Sequence, residues 1–126
     1  QTGKGSLKQK MRFQAAAPPN PFIGNQKMYL ITITVNPDLS AEQHETLFPK
    51  HAEWFKKHFA AGTFLLTAPF TDTQAHQGMI FAQAESREAL QTILAEDCYY
   101  PNHAQYDIRE FAPKLIAANL PEFAGK

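Results

Sequence analysis

The chain has 126 residues, 44% of them apolar, which suits one domain with a modest core. Its twelve basic and twelve acidic residues cancel, yet residues 1–27 hold five of the basic side chains and no acid, leaving seven basic residues against all twelve acids in 28–126. An acidic body is a poor surface for phosphate backbones, so nucleic acid is not expected as a partner, and the single cysteine, Cys98, excludes an internal disulfide or a Cys-rich zinc site and fits a reducing compartment such as the cytoplasm.

Residues 1–27 combine Gly, Gln and Lys with the stretch Ala15-Ala16-Ala17-Pro18-Pro19-Asn20-Pro21 and show no periodic apolar pattern. They read as a basic arm, either without fixed structure or an added leader, ahead of an α+β domain over 28–126. Met28 stands where a natural start would fall. The basic opening is not followed by the roughly 7–15 apolar residues of a secretory signal. A membrane span is excluded as well, because no run approaches roughly 18 apolar residues and Met28 to Val35 is broken by Thr32 and Thr34.

Met28 to Val35 is rich in β-branched and aromatic residues and predicts a strand, closed by the turn Asn36-Pro37-Asp38. Ser40 is a good N-cap for a helix that runs to about Ala61, with Gly62 as its stop. Pro49 either kinks that helix or opens its main part after a short first turn. Thr63 to Phe70 predicts the second strand and Met79 to Glu85 the third, with a polar loop between them. Ser86 caps a second helix drawn through Asp97, whose Leu90, Ile93 and Leu94 recur at helical spacing. Tyr99-Tyr100-Pro101-Asn102 is a loop, Ala104 to Phe111 the last strand, and the tail adds a short helical turn.

The order β-α-β-β-α-β is that of a ferredoxin-like fold, a four-stranded antiparallel sheet with both helices on one face. The strands carry apolar residues on both faces: Tyr29, Ile31 and Ile33 against Met28 and Leu30, and Phe81 against Ile80. Two helices cover only one of them. The other face is expected to be buried against a second copy of the chain, as a homodimer.

Three segments resemble the YCII-related family: Phe48-Pro49-Lys50-His51-Ala52, the stretch from Gly62 to Pro69, and Ala95-Glu96-Asp97-Cys98-Tyr99. The resemblance covers roughly residues 28–111 and implies a muconolactone-isomerase-like dimeric α+β barrel. It also implies a His and Asp pair in a pocket between sheet and helices, which falls here on His51 and Asp97. One relative dehydrochlorinates a chlorinated hydroxyhydroquinone. The sequence departs from the family pattern at Ala68, Cys98 and His103, all bordering that pocket.

The residues give their own reasons. An imidazole accepts and returns a proton near neutrality when its other nitrogen is oriented, and His51 otherwise reads as a surface or core histidine. Asp97 follows Ile93 by one turn on the apolar side of its helix, at a C-terminus where the helix dipole disfavours negative charge. A donor must offset it, unless it simply caps the following loop. The substrate-binding candidates are Trp54, Phe55, Pro69, Tyr99, Tyr100 and His103. Trp54 and Phe55 read equally as core, and Tyr99 and Tyr100 as the rim of a dimer. His44, His51 and His58 recur every seventh residue, about 10.5 Å along a helix, too far for ligands of one ion, so no metal site is expected. Cys98 reads as a small buried thiol. These residues together predict a cofactor-independent small-molecule enzyme of lyase or isomerase type, moving a proton on a cyclic or enolic substrate. The alternative is a non-catalytic dimer that binds a small ligand or another protein.

Overall fold

The computed structural model describes residues 26–125; the arm expected over 1–27 lies outside them apart from its last two residues. The elements follow the predicted order: β1 (Lys27–Val35), α1 (Ala41–Ala60), β2 (Phe64–Pro69), β3 (Gln77–Ala84), α2 (Arg87–Leu94) and β4 (Ala104–Phe111), then a 3-10 turn at Leu120–Phe123. They form one antiparallel sheet in the order β2-β3-β1-β4, the ferredoxin-like arrangement. No helix among the described residues is long and apolar enough to cross a membrane.

Local chemistry sets the ends of α1. The Ser40 hydroxyl accepts from the Gln43 N–H at 3.1 Å while the Gln43 side chain accepts from the Ser40 N–H at 2.9 Å, a capping box that satisfies both groups. At the other end Gly62 takes φ +86°, and the Gly62 and Thr63 N–H groups donate back to Phe59 and His58. That pattern is a Schellman motif, and the left-handed residue at its centre is best a glycine. Between the two caps the helix is continuous through Pro49, so neither a separate first turn nor a late start is needed.

Alternation in β1 buries Tyr29, Ile31, Ile33 and Val35 beneath the helices, where Ile31 pairs with Ile80 and Ile108 on its two neighbours. Trp54 of α1 and Leu90 and Leu94 of α2 close this core from above. The opposite face carries Leu30 paired with Phe81, and the Phe81 and Phe111 rings lie 5.3 Å apart. These residues are half-buried, and α1 and α2 pack on the other face. Beyond β4 the tail is laid out with Leu115 97%, Ile116 68% and Phe123 66% exposed.

One boundary differs from the sequence reading. The second helix ends at Leu94 instead of Asp97, because the Glu96 and Asp97 N–H groups turn back to Ile93 and Leu94, three residues behind them. Asp97 therefore stands in a tight turn just past the helix.

Candidate active site

Two elements bring the pair together. His51 lies on the buried face of α1 and Asp97 in the turn after α2, 5% and 2% exposed. The His51 Nδ1 is 2.7 Å from Asp97 Oδ1. The other carboxylate oxygen, Oδ2, accepts from the Tyr106 hydroxyl at 2.6 Å. Tyr106 reaches it from the helix-facing side of β4, where it pairs with Ile33.

The protonation pattern follows from these contacts. Asp97 serves as acceptor on both oxygens, so His51 Nδ1 is the donor of its contact, and in the neutral imidazole that tautomer puts the lone pair on Nε2. Burial, and then the hydrogen bond to Asp97, push the Tyr106 phenol far above its usual value, so it keeps its proton and donates it to Asp97. Burial pushes Tyr99 up to about 12, and burial likewise raises the Cys98 thiol, which donates to the Leu47 carbonyl at 3.1 Å. A thiol so placed is a poor nucleophile.

The His51 ring is held on several sides: edge-on to Phe55 at 4.5 Å, near Tyr99 at 4.8 Å and stacked on Trp54 at 5.7 Å. His51 also lines a cavity of about 500 Å³ between α1, the end of β1 and the β2–β3 hairpin. Its walls are mainly apolar, with Ile33, Phe48, Phe55, Pro69, Met79 and Ile80 among them. That volume and lining are those of small-molecule sites. Among the described residues His51 Nε2 has no hydrogen-bond partner, which leaves it available to a molecule in the cavity.

Residues 28–112 match the model of the YCII-related domain. The chain belongs to the YCII-related family. No curated protein matches it in sequence. Among solved structures it is similar to SnoaB, a cofactor-independent oxygenase from Streptomyces nogalater, at 12% identity and a TM-score of 0.44, over 75% of this chain and 98% of that one.

Within this YCII-related domain the remaining expectations divide. Phe55 and Pro69 line the cavity beside His51. Trp54, Tyr99, Tyr100 and His103 do not. Trp54 is turned into the core, where its indole N–H donates to the Ile93 carbonyl at 3.0 Å. Tyr99 is fully buried behind His51, its hydroxyl without a partner among the described residues. Tyr100 packs on Tyr106 from outside, and His103 is held by its backbone, accepting from the Asn36 N–H at 2.8 Å. The loop carrying both turns toward β4 and away from the cavity.

Sequence reasoning did not single out Tyr106, which meets Asp97, nor Lys56 and His76, which stand on the cavity wall. Tyr106 had a signal, since alternation with Ala104 and Ile108 puts it on the helix side of β4. His76 had none, because it lies in the loop before β3. Among the described residues no three His, Cys, Asp or Glu side chains converge as a metal site would need.

Proposed function

We propose that this YCII-related protein is an acid–base enzyme of lyase or isomerase type acting on a small cyclic or enolic molecule. The observation that carries it is the oriented imidazole: Nδ1 held by a buried carboxylate at 2.7 Å, on a histidine that lines an apolar cavity. His51 Nε2 takes the proton from a carbon beside a carbonyl, and the C–H electron pair moves into the enolate. Asp97 stabilises the imidazolium formed, and Tyr106 steadies Asp97. Return of the proton to another carbon completes an isomerisation, whereas loss of a β-leaving group with the electron pair completes an elimination.

The test uses α-angelica lactone, whose double bond shifts by one such proton transfer, and a chlorinated hydroxyhydroquinone for elimination. The wild type is expected to move the lactone double bond and take up solvent deuterium, and His51→Gln to lose about 10²- to 10⁴-fold of the rate with its circular dichroism unchanged. An equally active His51→Gln protein, or a wild type inert on both compounds, would count against the reading.

The same protein is proposed to work as a homodimer closed over the outer sheet face. Leu30, Phe81 and Phe111 present an apolar strip there, and the tail after β4 leaves Leu115, Ile116 and Phe123 exposed. Sedimentation of the full chain beside a Phe81→Glu variant checks this, the variant being expected to run as a monomer. A monomeric wild type would remove the proposal.

A further inference from the structure

The apolar face that α1 turns to the cavity continues past the cavity's end. Phe48, Ala52, Phe55 and Phe59 succeed one another at helical spacing, which sets them in one row along the helix. The first three line the cavity, and Phe59 stands one turn beyond Phe55 in the same row. Both ends of the row are wet. Phe48 is 50% and Phe59 61% exposed, while Phe55 between them is half-buried.

Neither the core nor the proposed dimer uses this row. The residues that α1 buries are His51, Trp54 and His58, on the side of the helix next to it. A homodimer closed over Leu30, Phe81 and Phe111 lies on the sheet face opposite the helices, so it leaves Phe48 and Phe59 in water. A single exposed aromatic needs no reason, but two that extend the wall of a cavity mark a surface for a ligand.

We propose that the molecule taken by this cavity is a cyclic or enolic head bearing a straight, uncharged apolar chain, with the head at His51 and the chain laid along α1 past Phe55 to Phe59. The proposal rests on the cavity being the substrate site and deepens that reading by giving the shape of the substrate.

The dimensions suit such a molecule. A cavity of about 500 Å³ falls in the range that takes drug-sized ligands, well beyond the need of a single five- or six-membered ring. Phe59 follows His51 by eight residues, about 12 Å along the helix axis. The His51 ring lies 6.1 Å from Phe48 on its N-terminal side and 4.5 Å from Phe55 on its C-terminal side, so a head at Nε2 has an aromatic wall on each hand. Ala52 contributes only a methyl between those two walls and leaves room there. Phe55, where the chain would leave the cavity, is backed by Trp54 at 5.3 Å and by the buried Phe64 at 6.2 Å, which fix its ring. The row itself offers contact and no hydrogen bond, so a polar chain would give up water without return.

The probes are γ-valerolactone, γ-octalactone and γ-dodecalactone, saturated lactones with side chains of one, four and eight carbons, titrated by calorimetry. They have no double bond to move and so read binding alone. Affinity is expected to rise about tenfold at each step, roughly twofold per methylene, which is less than full burial gives because the row is open to water on one side. Phe59→Gln should lose the gain of the last step, the one whose chain is long enough to reach it, whereas Leu115→Gln, on an equally exposed apolar residue of the tail, should keep both gains. His51→Gln should keep the length dependence even where it abolishes deuterium uptake, so failure of the proton-transfer reading and failure of this one are told apart. Affinity independent of chain length, binding of none of the three, or a last step that survives Phe59→Gln would overturn the proposal.

Discussion

Helix α1 is tied twice to the turn that follows α2, by residues of the same kind, and the two ties do different work. His51 and His58 lie seven residues apart on α1, and they meet the consecutive acids Asp97 and Glu96, at 2.7 and 3.0 Å. Trp54 sits between the two imidazoles, 5.7 Å from one and 6.0 Å from the other. What separates the ties is the state of the carboxylate. The Asp97 side chain is wholly buried, and both its oxygens accept from protein groups. The Glu96 side chain is 40% exposed and shares one oxygen between His58 and Lys57. A buried acid has no water to fall back on, so its geometry is held; a wet one keeps its freedom. Similar spacing and similar chemistry thus give an oriented imidazole in one place and a surface clasp in the other.

The largest effect should come from removing the deep carboxylate. Asp97→Ala leaves the His51 Nδ1–H and the Tyr106 hydroxyl unpaired in the interior, and is expected to cost about 3–5 kcal/mol in denaturant unfolding. A loss below 1 kcal/mol, on the order of a surface pair, would erase the distinction between the two ties. Tyr106→Phe is the intermediate case. It takes one donor from Asp97 and keeps the ring, so a loss of about 1–3 kcal/mol is expected, together with a change in the His51 ring resonances by NMR.

The smallest effect belongs to the exposed tie. Hydrogen bonds from Lys57 and then His58 hold the Glu96 carboxyl below its ordinary 4.5, against a small opposing contribution from burial. Because the folded value is the lower one, its contribution is fully present above the unfolded value and fades as pH falls through the folded one. Glu96→Gln should therefore cost under about 1 kcal/mol at neutral pH, and wild type and variant should converge in unfolding free energy in strong acid. A gap that widened toward acid would reverse the assigned sign.

Much of this was legible from the residues and some was not, for physical reasons. Ser40, Gly62 and the alternation of Tyr29, Ile31 and Ile33 are local signals, and they placed the caps and divided the two faces of β1 correctly, though not which of the two the helices cover. The second helix was drawn three residues too long because Ala95, Glu96 and Asp97 all suit a helix. Only the N–H groups turning back three residues, in place of four, end it. His51 and Asp97 were brought together by family resemblance, since nothing local pairs residues 46 apart. Tyr106 could have been placed on the correct face but not against Asp97, which requires knowing how the turn after α2 sits over β4. His76 depends on a loop pinned by one backbone bond to β1, a contact that leaves no trace in composition or period.

The tail has a consequence for how the protein is handled. Side chains as exposed as Leu115 and Ile116 gain little from folding of their own chain. Burial against a second copy would make their contribution obey mass action, growing with the logarithm of protein concentration. Unfolding midpoints taken at micromolar protein would then exceed those taken after dilution. A rate assay run at nanomolar protein would sample a different population from the one seen in a concentrated NMR tube.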